Sequence, residues 1–281
     1  MRSSRTSRYG LRFAALGYLF LILAFPCSMI LYNTFQDGLA PVWDALTDPF
    51  FVSALELTLL AVAIAVPVNT IFGILCAIAV VRHPPRHGGW ILNAAIGLPL
   101  ALSPVVVGLA LILVYGQDGW FGTWLVENGV QVIFSTPGIV LATIFVTLPF
   151  VVREVIPVLR EVGTDQEEAA WTLGATRSQT FWRITLPAIR WGVAYGIVLT
   201  TARALGEYGA VAVVSGRIAG ETETLTLHVD EAYLRFDEVA AYTTSLVLAA
   251  LAVLTLLAMN LFRPKENPDV DSRPAGDEAL R

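Results

Sequence analysis

The sequence predicts an all-α membrane protein of six transmembrane helices, and three observations lead there. Of its 281 residues 56% are hydrophobic and only 15% charged, where an ordinary soluble domain carries about 25% charged residues. The charges cluster in short segments between apolar runs, each long enough to cross a hydrocarbon layer that takes about 20 residues of helix. Those runs are continuously apolar and lack the alternation of a barrel strand with a wet lumen.

The spans fall near 11–35, 52–81, 90–116, 133–158, 188–216 and 240–262. Arg2, Arg5, Arg8 and Arg12 precede the first, and Arg82 and Arg86 follow the second. Arg153, Arg160, Arg177, Arg183 and Arg190 lie at or between the fourth and fifth, and Arg263, Lys265, Arg273 and Arg281 follow the sixth. Of the 18 basic residues, only Arg203, Arg217 and Arg235 fall elsewhere. This positive-inside bias places both termini in the cytoplasm. The expected organisation is a cytoplasmic N-terminus at 1–10, one six-helix domain at 11–262, and a polar, proline-rich tail at 263–281 that is too poor in apolar residues to pack. The first apolar run, 13–32, is long for a cleaved signal peptide and has no small-x-small site before Asn33. No internal repeat is visible.

Cys27 and Cys76 fall inside spans and read as small buried apolar residues, with no disulfide partner or metal site implied. His83, His87 and His228 sit in loops without metal-ligand spacing and read as solvated. The extracytoplasmic segments 36–51 and 117–132 contain no Lys or Arg. Segment 217–238 sets Glu221, Glu223, Asp230, Glu231, Asp237 and Glu238 against two arginines.

The informative cytoplasmic segment is 159–187. Thr164 with Glu167 has the spacing of a capping box, in which hydroxyl and carboxylate each satisfy an orphan amide. A helix from about 165 to 173 then meets Gly174, suited to the left-handed position that ends a helix. Thr176 with Gln179 repeats the capping pattern and opens a second helix through about Ile184, which Leu186-Pro187 is expected to break. Ala169, Ala170, Trp171, Leu173, Phe181 and Trp182 leave this hairpin more apolar than a solvated loop, and such an excess asks for a partner surface. An interfacial hairpin lying on headgroups is the alternative.

The hairpin resembles the signature loop of ABC-importer permeases: Glu168, Ala169 and Ala170, then Gly174, then Ile184, Leu186 and Pro187, with every spacing kept. The stretches 39–42, 65–69, 103–106, 143–147, 149–154 and 202–211 are similar to sulfate/thiosulfate permeases of the CysW type. The resemblance implies a type I ABC importer permease fold, with the loop as a coupling helix seated on a cytoplasmic ATPase. It also implies a heterodimer with a T-type sulfate permease, two copies of that ATPase and an extracytoplasmic sulfate-binding protein. ATP and Mg would be bound by the ATPase, with no cofactor in this chain. The sequence itself has no GxxxxGK[ST] phosphate loop and predicts a non-catalytic subunit.

Span five holds Arg203 within the membrane, with Glu207 four residues on. Ionisable groups at that depth are costly and face a protein interior or a water-filled path, and the spacing lets the two pair. Thr200 is placed near the same face, and Gly206, Gly209, Ala202, Ala204 and Ala210 permit close helix approach. Two readings stand: Arg203 offers positive potential to a passing sulfate dianion, or the pair locks helices together. Ser103, flanked by Pro99 and Pro104 in span three, is a further path candidate, prolines there serving either to open backbone groups or simply to kink the helix. Asn69 in span two reads chiefly as helix–helix glue. Permeases for molybdate or tungstate, an ion-coupled secondary transporter using Arg203 and Glu207, and a non-transporting scaffold are the rival readings.

Overall fold

The computed structural model describes residues 5–82 and 89–261. His83, His87, Arg86 and the tail at 263–281 lie outside the described residues. All regular structure among the described residues is helical. Helix α1 (Arg5–Leu19) passes through a π-turn at Phe20–Ala24 into α2 (Phe25–Phe35), forming the first apolar span. A short α3 (Leu39–Thr47) leads to α4 (Pro49–Arg82), and α5 (Gly89–Ala101) and α6 (Pro104–Tyr115) follow. After α7 (Gly122–Glu127) come α8 (Thr136–Val162), α9 (Asp165–Thr172) and α10 (Arg177–Thr180). A second π-turn, Phe181–Thr185, feeds α11 (Leu186–Leu205). Finally α12 (Gly209–Val214), α13 (Leu225–Leu234) and α14 (Glu238–Leu261) complete the chain.

Helix α8 is the axle, packed against both α4 and α11. Its Val151, Val152, Val155 and Leu159 form the core with Ala77 of α4 and Ile189 and Val193 of α11. Lipid tails are as apolar as these side chains, so close packing and interhelical hydrogen bonds have to supply the association. Fully buried Asn69 provides one: its Nδ2 donates to the Ile144 carbonyl at 3.0 Å and to Thr147 Oγ1 at 2.7 Å, tying α4 to α8. The α1–α2 span is the opposite case, with Phe13, Phe20, Leu21 and Phe25 exposed. Cys27, expected to be buried, is exposed with them, because among the described residues no other helix covers that face.

Two of the expected spans are broken. Span three splits into α5 and α6, whose axes meet at 112°. Ser103 precedes Pro104 and sits at φ −63°, ψ 135°, the extended geometry that a following proline enforces. Six spans result if this bent pair counts as one. Span five, expected to run to 216, stops as α11 at Leu205 and resumes only at Gly209.

The expected break at Leu186-Pro187 does not occur. Pro187 has no N–H to donate and its ring crowds the carbonyl four residues back. The chain answers with the Phe181–Thr185 π-turn, in which the Leu186 N–H reaches the Phe181 carbonyl, and helix continues. The first π-turn stands in the same register to Pro26, with the Phe25 N–H bonded to the Phe20 carbonyl.

Candidate functional site

Two constellations are positioned by this frame, one at each end of α11. At its start lies the α9–α10 hairpin. Gly174 ends α9 at φ +85°, a conformation that costs a residue with a Cβ. Its N–H donates to the Trp171 carbonyl and that of Ala175 to the Ala170 carbonyl, both at 3.0 Å. These are the two bonds of a Schellman cap. Thr176 and Gln179 form the expected capping box, with Thr176 Oγ1 accepting from the Gln179 N–H.

The other expected box, Thr164 with Glu167, is absent. Thr164 donates instead to Glu168 Oε1 at 2.8 Å, and Glu167 turns inward. Arg82 Nε lies 3.1 Å from Glu167 Oε2, and Thr185 Oγ1 donates to Oε1 at 2.8 Å. Arg82 Nη2 also donates to the Gly163 carbonyl at 2.6 Å. The ends of α4 and α8, the start of α9 and the turn before α11 are thus bolted through one ion pair whose side chains are 9% and 8% exposed. Sequence reasoning used Arg82 only as a charge marker and Glu167 only as a cap. Nothing local in the sequence joins residues so far apart.

The pinned hairpin distributes its signature residues unevenly. Ala170 is buried and Leu186 packs on the core, whereas Glu168, Ala169, Gly174 and Pro187 are exposed and Ile184 is intermediate. Trp171, Leu173 and Trp182 are exposed on the same hairpin.

At the other end of α11, Arg203 Nη1 contacts Glu207 Oε2 at 2.6 Å, the two side chains being 33% and 1% exposed. The pair forms as expected, but across the break and not along one continuous helix. Glu207 Oε1 accepts the Ala210 N–H of α12 at 3.0 Å, and the Glu207 carbonyl accepts Thr226 Oγ1 of α13 at 2.8 Å. Glu207 also borders a void of 10 Å³ with Thr58, Thr143 and Thr224, room for about one water. The break of span three lies alongside: a Cβ at Gly209 would stand 2.9 Å from Pro104 Cβ. Ser103 is exposed at that corner, whereas Thr200 is fully buried and does not share the partial exposure of Arg203. Gly206 is exposed, so it marks the break and is not a helix contact.

Beyond the break, Arg217 Nη1 donates to Asp230 Oδ2 at 2.9 Å and Nη2 to the Tyr208 hydroxyl at 3.2 Å. Burial works against the Arg217 charge, but the hydrogen bonds and charges of Tyr208 and Asp230 outweigh it and push its pKa up. His228, expected in solvent, is mostly buried: Nδ1 lies 3.2 Å from Glu223 Oε1, and the ring stands edge-on to Phe51. Glu223 is buried as well, whereas Glu221, Asp237 and Glu238 are exposed. Among the described residues no cluster of His, Cys, Asp and Glu is arranged to hold a metal.

An α-helical membrane bundle whose discontinuous helices meet beside ionisable groups, with a rigid apolar hairpin at one end, is built as a transport subunit. The chain belongs to the family of binding-protein-dependent transport system inner membrane components, whose model matches residues 69–267. It is 49% identical over 258 residues to the sulfate transport system permease protein CysW of Synechocystis sp., covering 92% of this chain and 93% of that one. It is 37% identical to the sulfate transport system permease protein CysT of Escherichia coli, covering 87% of this chain and 88% of that one. Its fold is similar to a chain of a bacterial ABC transporter that imports alginate, with a TM-score of 0.75 at 17% identity, covering 92% of this chain and 96% of that one.

Proposed function

We propose that this chain is the permease subunit of an ATP-driven sulfate/thiosulfate importer, forming the anion path together with a T-type permease. The names of its relatives support the substrate and the pairing. The observation that carries the mechanism is α11. It runs unbroken from the Thr185–Glu167–Arg82 bolt to the Arg203–Glu207 pair, a 20-residue rod about 30 Å long. With the hairpin on the cytoplasmic side and both termini there, two ATPase subunits bind and hydrolyse ATP outside this chain, which is a non-catalytic partner. Exposed Trp171, Leu173 and Trp182 offer the apolar contact to one of them. Its movement passes through the bolt and α11 to the helix breaks, where Arg203 faces the path and Glu207 holds the corner. An extracytoplasmic binding protein delivers the anion enclosed, so an acidic outer segment need not attract it.

Labelled-sulfate uptake tests this in cells lacking their own sulfate permease and supplied with this chain, its T-type partner, the ATPase and the binding protein. ATP-dependent uptake that disappears when this chain is omitted, and that thiosulfate but not low molybdate inhibits, is the expected result. Assembly and ATPase activity without sulfate entry would move the substrate to another oxyanion.

A further inference from the structure

We propose that Arg217, seated on Tyr208 and Asp230, is an outer anion station that receives the tetrahedral dianion on its way to Arg203. This rests on the importer reading above. Arg217 lies in the link between α12 and α13 and holds φ at 53°, a left-handed backbone that carries strain for a residue with a side chain. Ser215 Oγ accepts its N–H at 3.2 Å and helps fix that turn. The result is to fold the guanidinium back over the Tyr208 ring, 5.8 Å from its centroid, an arrangement in which the ring face favours the cation.

The fork is held but not saturated. A guanidinium has five N–H donors, and Tyr208 and Asp230 take one each. The side chain is 39% exposed. Asp230 engages through a single oxygen, Oδ2, which also accepts the Tyr208 hydroxyl at 2.9 Å. A tetrahedral dianion presents paired oxygens to a planar fork and carries twice the charge, so it competes well with a one-oxygen carboxylate contact. Asp230 then acts as the resident anion that keeps Arg217 in place between arrivals.

Position completes the argument. Tyr208 directly follows Glu207, the partner of Arg203, so consecutive residues hold the two arginines. A cavity of 310 Å³ adjoins the station, bordered by Tyr208, Thr226, Tyr233, Tyr242 and Ser245, with Asp230 the one carboxylate on its wall. The hydroxyls of Tyr208, Thr226 and Ser245 already donate within the chain, which leaves those of Tyr233 and Tyr242 to meet a passing anion. Arg235 is different. It pairs with Glu231 at 2.8 Å in an exposed i, i+4 contact and has no comparable enclosure.

The test uses the complete importer reconstituted in liposomes with saturating binding protein, and reads initial sulfate uptake against ATP hydrolysed. R217Q is expected to lower uptake about tenfold to a hundredfold, the range for losing charge-assisted hydrogen bonds, with R217K intermediate and R235Q unchanged. Asp230→Asn keeps the shape and frees the fork, so it should match or exceed wild-type uptake at low sulfate. A merely structural triad predicts that D230N falls together with R217Q, and that outcome overturns the station. So does full uptake by R217Q. If R217Q fails to assemble, the sign of the D230N effect decides alone. Wild-type importer that moves no sulfate fails the underlying reading, and the station with it, whereas normal wild-type uptake with unaffected R217Q fails the station only.

Discussion

The pairs Arg82–Glu167 and Arg203–Glu207 stand at opposite ends of α11, and each buries its carboxylate, yet their arginines differ. Arg82 is 9% exposed and Arg203 33%. Around Arg82 a carbonyl and both carboxylate oxygens close the shell, and a threonine hydroxyl donates to the carboxylate in turn. Around Arg203 only one carboxylate oxygen is engaged, the other capping α12. A closed pair suits a joint that must transmit force without yielding. An open pair keeps donors available to something else. The energetic rule does not separate the two, because each carboxylate is buried and losing either arginine outright leaves an unpaired charge; the difference lies in the donors that Arg203 keeps open.

The largest expected effect therefore sits at the joint. Arg82→Met leaves Glu167 buried and unpaired and should destabilise the subunit by about 3–5 kcal/mol. That would appear as a lowered thermal transition of the detergent-solubilised complex. R82M/E167L removes both charges and should regain much of that stability, yet still hydrolyse ATP without matched uptake, because the four elements are no longer bolted together. Restored coupling in the double variant would show that the pair is only a folding device.

Next comes Gly174→Val. Nothing lies within 4 Å of the added Cβ, but φ is +85°, so the cost is backbone alone, about 1–2 kcal/mol, and local to the hairpin. The spans should fold normally while uptake per ATP falls. Arg203→Gln removes the charge but leaves an amide that can still donate to buried Glu207, so it should lower the thermal transition less than R82M, with normal ATPase stimulation and reduced sulfate entry. If R203Q instead destabilises as much as R82M, the contrast between closed and open pairs is wrong and Arg203 is a structural bolt too.

What sequence could and could not show follows from the range of the forces involved. The apolar runs, Gly174 and the Thr176–Gln179 cap depend on residues within a turn or a membrane thickness, and these are legible. The break at Ser103 was half legible: Pro104 dictates the extended Ser103, but a 112° bend needs Gly209 to accept Pro104 at contact distance, and that is a tertiary fact. The break at Gly206 was not legible, because the apolar run continues through it to 216. Arg203–Glu207 was readable from its spacing, although the structure forms it across a break. Burial of Glu167, Glu223 and His228 was not readable, since each is fixed by a partner element packed against it. For the same reason Glu221→Lys is a clean probe of that surface, whereas Glu223→Lys would bury an ammonium beside the His228 ring.

The smallest expected effect compares the two helix starts within the hairpin. Thr176 accepts the Gln179 N–H while Gln179 Oε1 accepts the Thr176 N–H at 2.9 Å, so Thr176→Ala strands an amide and should cost about 1 kcal/mol. Thr164 caps nothing and only donates to exposed Glu168, so Thr164→Ala should stay within about 0.5 kcal/mol. The hairpin around Thr164 is already held by the Arg82–Glu167 pair, which leaves its cap redundant, whereas the start of α10 has no such anchor. Thermal transitions of the two variants should therefore separate, with T176A the lower. Equal transitions would mean that the bolt stabilises both helix starts, extending the rigid unit from α9 through α10.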